Sequence, residues 1–346
     1  MHLATLASVR LPNHSIRLMA GMLAELGIAP APALTRAGLS AAMIQDPSAT
    51  VTGVEEIAFQ RAFMEATPDR PDLWLELGAR YRLLTHAHTD YGLLMSSAPT
   101  MEAALKIGLD YGDLYYMLAD AEQFQDEAGR LIGFRSLPTE MPADLRRFAA
   151  IRDVGVNCTV VGDLWGGPFP FEHVELPVPA SDEPFIRRFL PDATLVLESE
   201  FNCWRWSVPL DRKPPQSDPI LHEHYRQRCD RLLAQARRSG DVVDRVAGLL
   251  EATEGHVDME RAASELGVST RTLQRRLGQR GLSFRELAGL QRHRHACRLL
   301  TQTDWMVSQI AFQVGYDNVT SFNCAFRRMA GTSPTAYRRA LYGPGA

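Results

Sequence analysis

Lysine is nearly missing: of the 37 basic residues in the 346-residue chain, only Lys106 and Lys213 are lysines. Cysteine is also sparse. Cys158, Cys203, Cys229, Cys297 and Cys324 are too few and too scattered for a disulfide framework or a CxxC metal site, which points to a reduced, cytoplasmic interior. No run approaches the roughly 20 consecutive apolar residues of a membrane span. Arg10 is followed at once by Pro12, Asn13 and His14 rather than by an apolar stretch, so no signal peptide is expected. No Ser-centred elbow, P-loop or Rossmann glycine pattern occurs, and no catalytic residue, cofactor or metal is expected. A chain that is 45% hydrophobic and 23% charged excludes a disordered tail or a collagen-like fibre. Its length suggests about two domains.

Charge of one sign is missing from a region. Residues 261–346 hold 13 arginines against only Glu265, Glu286, Asp304 and Asp317, a net +9. The other 260 residues then carry −13, and the chain totals −4. A basic module on an acidic body usually meets phosphate. Pro209, Pro214, Pro215 and Pro219 crowd one stretch, and Ser239-Gly240 breaks the polar segment that follows. The expected division is an N-terminal domain over 1–215, a linker over 216–240, and a helical domain over 241–346.

In that last region the pattern is explicit. Asp258 can cap a helix from Met259 that buries Ala262, Ala263 and Leu266, and Gly267 supplies a turn. Ser269 then caps a second helix whose Leu273 and Leu277 face inward, four residues apart. Arg271, Gln274, Arg275 and Arg276 must project elsewhere. This is a helix-turn-helix with a donor-rich outer face. Arginine forks can bond guanine O6 and N7 together, and glutamine can both donate to and accept from adenine.

A second copy follows. Ser283 and Glu286 form a capping box that opens a long helix to about Leu300. A short helix from Val307 to Gln313 and a turn at Gly315 come next. Asp317 is expected to cap another helix, from Asn318 to about Met329, with Phe322 and Phe326 facing the core. Asn318, Thr320, Ser321 and Asn323 lie near its start or outer side, and Arg327 lies further along. Two recognition helices joined by a helix of about 25 Å are compatible with successive major-groove faces about 34 Å apart.

These residues resemble the C-terminal domain of AraC/XylS-type transcription regulators. The likeness runs through Ala262-Ala-Ser-Glu-Leu-Gly-Val-Ser-Thr-Arg-Thr-Leu-Gln-Arg-Arg-Leu, Ser283-Phe-Arg-Glu-Leu and Ile310-Ala-Phe-Gln-Val-Gly-Tyr. It continues in Ser321-Phe-Asn-Cys-Ala-Phe-Arg-Arg and Gly331-Thr-Ser-Pro-Thr-Ala-Tyr-Arg-Arg. The resemblance implies seven helices with two helix-turn-helix units. It also implies base contacts from Arg271, Gln274 and Arg275; the expected DNA-binding set adds, by position, Ser269, Thr270, Arg276, Asn318, Thr320, Ser321, Asn323 and Arg327. Cys324 departs from the family pattern, which often has Arg or His there. Met306 stands where a Ser or Thr cap is usual, which should weaken that helix start by roughly 1 kcal/mol.

The first 215 residues resemble the "arabinose-binding" type of N-terminal domain of one AraC subfamily. Leu73-Trp-Leu-Glu-Leu-Gly, Tyr91-Gly-Leu-Leu-Met-Ser-Ser-Ala-Pro-Thr and Phe189-Leu-Pro-Asp-Ala-Thr-Leu-Val-Leu carry that likeness. It implies effector sensing and dimerisation, without making arabinose the effector. The residues themselves predict an α+β fold with a mixed or antiparallel sheet for this N-terminal domain, and the resemblance makes it a sensor domain. Helices dominate to about 120, with Thr100 as a cap; strands are expected at 130–135, 158–161, 194–197 and 202–208. Trp204 and Trp206 should share one strand face with Arg205 opposite, and either line a ligand pocket or pack in the core. Trp165 opens a Gly-Gly-Pro-Phe loop that could be a pocket lid, a dimer contact or a turn. His86, His88 and Asp90 offer metal-capable groups, with a solvated surface as the expected reading.

The sequence therefore predicts an effector-responsive regulator. Its expected partners are promoter DNA, RNA polymerase if it activates, a small-molecule effector and a second copy of itself, with no membrane. Two rivals stand beside it: a constitutive dimeric DNA-binding regulator, and an enzyme carrying a DNA-binding tail.

Overall fold

The computed structural model describes residues 10–46, 49–83, 90–111, 121–136, 142–239, 242–279, 283–330 and 332–342. Two compact units divide the chain, Met1–Ala234 and Gln235–Ala346. His86 and His88 lie outside the described residues.

The first unit is α+β. Strands β1 (Arg10–Pro12) and β2 (Thr50–Thr52) form a small antiparallel pair. Strands β3 (Ala121–Gln125), β4 (Leu131–Ser136), β5 (His173–Leu176), β6 (Thr194–Leu197) and β7 (Asn202–Arg205) form a five-stranded sheet in the order β3-β4-β7-β5-β6. Among the described residues only the β5–β6 pair is parallel, so the sheet is mixed, as expected. Helices pack against one another on the N-terminal side. Thr100 caps the helix Met101–Asp110 by accepting from the Ala103 N–H at 3.2 Å.

The strand expected at 158–161 is a helix. Cys158, Thr159, Val160 and Val161 lie inside the 20-residue helix Arg146–Trp165. A short β-branched run cannot by itself distinguish strand from buried helix. Here Phe148, Ile151, Val154 and Gly155 keep a buried helical face turned to the core, and that packing overrides local preference. The deciding contact is a glycine crossing with the helix Pro71–Ala79. A Cβ at Gly78 would stand 1.9 Å from the Arg152 carbonyl oxygen, and one at Gly155 would stand 2.3 Å from that of Leu75. The two backbones touch, so no larger residue fits either position.

The second unit contains seven helices between Val242 and Tyr342 among the described residues: Val242–Ala252, Met259–Glu265, Thr270–Gln279, Phe284–Gln302, Val307–Gln313, Val319–Ala330 and Pro334–Tyr342. Its core is small and apolar, built on Val246, Leu250, Ala262, Leu273, Leu277, Leu300, Ile310, Phe322 and Phe326. The 19-residue helix Phe284–Gln302 is its spine, about 28 Å long at 1.5 Å per residue. The expected capping box is present: the Glu286 N–H donates to Ser283 Oγ at 3.2 Å and the Ser283 N–H to Glu286 Oε2 at 2.8 Å. At the other end Arg338 donates to the carbonyls of Leu300 and Thr303, each at 3.2 Å, and so satisfies acceptors the helix leaves open.

Candidate nucleic-acid interface

The first helix-turn-helix is assembled from caps and a glycine turn. Asp258 accepts from the Arg261 N–H at 2.8 Å and starts Met259–Glu265. Gly267 at φ +69 ends it in the left-handed region that favours glycine. Ser269 Oγ accepts from the Thr272 N–H at 3.2 Å and opens the recognition helix Thr270–Gln279. Leu273 and Leu277 are buried beneath it. Arg271, Gln274, Arg275 and Arg276 are exposed, and among the described residues none forms a hydrogen bond or ion pair. Three guanidinium groups and an amide on one helix give an electropositive, donor-rich face that nothing among the described residues satisfies. Thr270 is half-buried beside the cap.

The second motif repeats this plan with one residue more. Gly315, at φ +81, is the turn glycine. The cap is Asn318, not Asp317: Asn318 Oδ1 accepts from the Ser321 N–H at 2.8 Å and the helix starts at Val319. In the first motif the cap follows the turn glycine by two residues, and in the second by three. Counting from the glycine therefore misplaces the cap, whereas counting back from the buried pair Phe322 and Phe326 finds it. The outer face consists of Thr320, Ser321, Cys324, Arg327 and Arg328, all exposed. Asn323 is half-buried with its Oδ1 withdrawn from solvent, and Asn318 is engaged in capping. Arg275 and Cys324 occupy equivalent places, each six residues beyond its cap.

Met306 supplies no side-chain acceptor to the helix Val307–Gln313. Instead Gln309 Oε1 accepts from the Met306 N–H at 2.8 Å, half of a capping box.

The aromatic residues of the first unit lie elsewhere. Trp204 and Trp206 do share one face, packed with Phe134 and Phe171. Both are buried, and each indole N–H is satisfied: Trp204 by Asn202 Oδ1 at 2.6 Å, Trp206 by the Leu131 carbonyl at 3.1 Å. Arg205 lies over the Phe124 ring, 4.8 Å from its centroid. Trp165 is half-buried under Arg212, whose guanidinium stands 4.7 Å from the ring centroid. The loop after Trp165 does line a cleft. That cleft, of about 740 Å³, is walled by Arg82, Cys158, Asp163, Phe169, Arg188 and Gln216. Arg82 and Asp163 pair across it at 2.6 Å, and Arg188 has no ion-pair partner among the described residues. Sequence reasoning did not anticipate this cleft, because a helix end, a loop and a turn far apart in sequence converge on it.

Comparison with known proteins decides the family. The model of the arabinose-binding N-terminal domain of AraC transcription regulators matches residues 27–205, just over half of the chain, and a helix-turn-helix domain matches 262–340. The chain belongs to the AraC transcription regulators. An uncharacterized HTH-type transcriptional regulator of Mycobacterium tuberculosis is 28% identical over 346 residues, covering 98% of this chain and 99% of that one. The ornithine utilization regulator of Pseudomonas aeruginosa is 27% identical over 283 residues, covering 80% and 81%. Among solved structures, the regulator CdpR from Pseudomonas aeruginosa aligns with 94% of this chain and 98% of its own, at 20% identity and TM-score 0.43. This AraC-type protein is thus a DNA-binding transcription regulator, and promoter DNA is its partner. Among the described residues no helix is long and apolar enough to cross a membrane.

Proposed function

We propose that this AraC-type regulator is a cytoplasmic homodimer that reads promoter DNA chiefly through Thr270–Gln279 and responds to a small molecule. The observation that carries the reading is the exposed, unpaired set Arg271, Gln274 and Arg275 above the buried Leu273 and Leu277. In this reading Arg271 and Arg275 contact guanine edges and Gln274 an adenine. Arg276, Ser269, Thr270, Thr320, Ser321 and Arg327 serve the phosphate backbone, which fixes register without reading sequence. The Arg275→Ala variant should lose about 1–3 kcal/mol of promoter affinity and relax preference at one base pair. Unchanged affinity and footprint would refute the assignment.

Effector binding is assigned to the cleft beside Arg82, Asp163 and Arg188 rather than to Trp204 and Trp206, whose polar atoms are already satisfied. An anionic group on the effector would complement Arg188. Binding there shifts the population of DNA-competent forms, and the DNA-bound form recruits RNA polymerase. Thermal-shift screening of the full chain against small carboxylates, followed by promoter binding for each hit, tests this. Hits abolished by Arg188→Ala that also change DNA affinity support it. A broad screen without hits, alongside intact promoter binding, would favour a constitutive dimer.

A further inference from the structure

A second group of chemistry-bearing residues lies inside the DNA-binding unit, outside both recognition helices. Glu254 and His256 belong to the loop after the helix Val242–Ala252, and His295 belongs to the spine Phe284–Gln302. One ligand atom from each lies within 4.8 Å of the other two. His295 is only 5% exposed, yet its Nδ1 has no hydrogen-bond partner among the described residues. It faces Glu254 Oε2 at 3.4 Å, too long for a good hydrogen bond. Glu254 and His256 are exposed, so the group opens to solvent on one side.

From this geometry we propose that Glu254, His256 and His295 bind a divalent transition-metal ion of the zinc class. Two imidazoles and a carboxylate are a donor set that such ions take, with water in the fourth place. For metal–ligand bonds of about 2.0–2.1 Å the edge of a tetrahedron is about 3.4 Å, the His295–Glu254 separation. The remaining approach is short, and the two exposed side chains can make it. Arg298 stands 3.8 Å from the other carboxylate oxygen, Oε1, which turns Oε2 toward His295. Arg298 is 51% exposed, so solvent screens its repulsion of a bound cation.

The loop holds this position by its backbone. Glu254 at φ +52 and Gly255 at φ +81 are consecutive left-handed residues. A Cβ at Gly255 would come 2.8 Å from Arg292 Cγ and 3.2 Å from the Ala288 carbonyl, so the loop lies directly on the spine. A Cβ at Gly315 would sit 3.6 Å from His256 Nδ1, so His256 also abuts the turn of the second helix-turn-helix. An ion here joins the end of the first helix of the unit to the spine, beside that turn. Occupancy therefore braces the joint that fixes the spacing of the two recognition helices.

The test uses tag-free full-length protein, stripped with a chelator and then titrated with Zn2+ or Co2+. The expected result is one tightly bound equivalent, a visible Co2+ spectrum of low coordination number, and a raised Tm. His256→Ala and Glu254→Gln alter exposed side chains and should leave the fold intact. Each should weaken binding by at least about tenfold, since even loss of groups supporting a ligand costs about 10–100-fold. Promoter affinity should rise with metal in the parent and not in the double variant. The proposal falls if the parent takes up no ion, which would leave the trio as an ion pair only. It falls equally if the double variant keeps the same stoichiometry and Tm shift, which would place the ion on other histidines.

Discussion

The two helix-turn-helix motifs share a scaffold and differ in what they display. Both bury two apolar residues four apart, Leu273 with Leu277 and Phe322 with Phe326. Both turn on a left-handed glycine and open the recognition helix with a side-chain cap. Yet the first presents Arg271, Gln274 and Arg275, while the second presents Thr320, Ser321 and Cys324. The second core is aromatic, with Phe322 in edge contact with Tyr316 and Phe326 with Tyr337. The motif with the heavier core carries shorter side chains, Thr320, Asn323 and Cys324, at the places equivalent to Arg271, Gln274 and Arg275. The comparison teaches that core and display are separable: inward positions repeat because packing demands it, and outward positions are free to differ.

The largest expected effect tests the cores. Phe322→Ala should destabilise the unit by about 3–5 kcal/mol and Leu273→Ala by about 2–5 kcal/mol. Thermal unfolding of the full chain, followed by the signal of the C-terminal unit, measures both. Equal, small losses would mean that these residues do not anchor their motifs.

Base reading comes next. Replacing Arg275 should cost about 1–3 kcal/mol of promoter affinity, with discrimination lost at one position. The equivalent change in the second motif, Cys324→Ala, should move affinity by less than about 0.5 kcal/mol. A larger effect at Cys324 would overturn the division of labour between the two helices.

The caps give a third contrast. Asn318→Ala should cost about 1 kcal/mol of stability, as should Ser269→Ala, while Asp317→Ala should leave it nearly unchanged. Denaturation midpoints read this directly, and a larger loss at Asp317 would return the cap to the position counted from the glycine.

The smallest effect is chemical. Burial pushes the Cys158 and Cys229 thiols up to about 12, so both remain protonated and slow to alkylate at pH 8. Cys324 is exposed on the second recognition face and should be modified first. Mass spectrometry after brief iodoacetamide treatment identifies the labelled residue, and promoter DNA should protect it. Early labelling of Cys158 or Cys229 would contradict the packing of the first unit.

Legibility followed the range of the interactions. Ser269, Asp258, Thr100 and the Ser283–Glu286 box were readable because a cap bonds to residues three positions away. The cap at Asn318 was not, because the turn before it is one residue longer than in the first motif, and only the buried phenylalanines fix the phase. The helix through 158–161 is not legible in its β-branched run, since what holds it is the close approach of Gly78 and Gly155 from distant segments. Asn323 counted as an outer residue by spacing alone, yet its carbonyl oxygen is turned away from solvent.

The local alphabet of this chain settled the double motif, the basic module of net +9 and the donors on the first recognition helix. Periodicity, caps and charge act over a few residues and are written in order. Tertiary structure alone decided that Trp204 and Trp206 are core and that Arg188 faces a cleft. It alone brought Glu254 and His256 to His295, about forty residues away. Those outcomes depend on which distant surfaces meet, and packing of whole elements, not the spacing of neighbours, selects them.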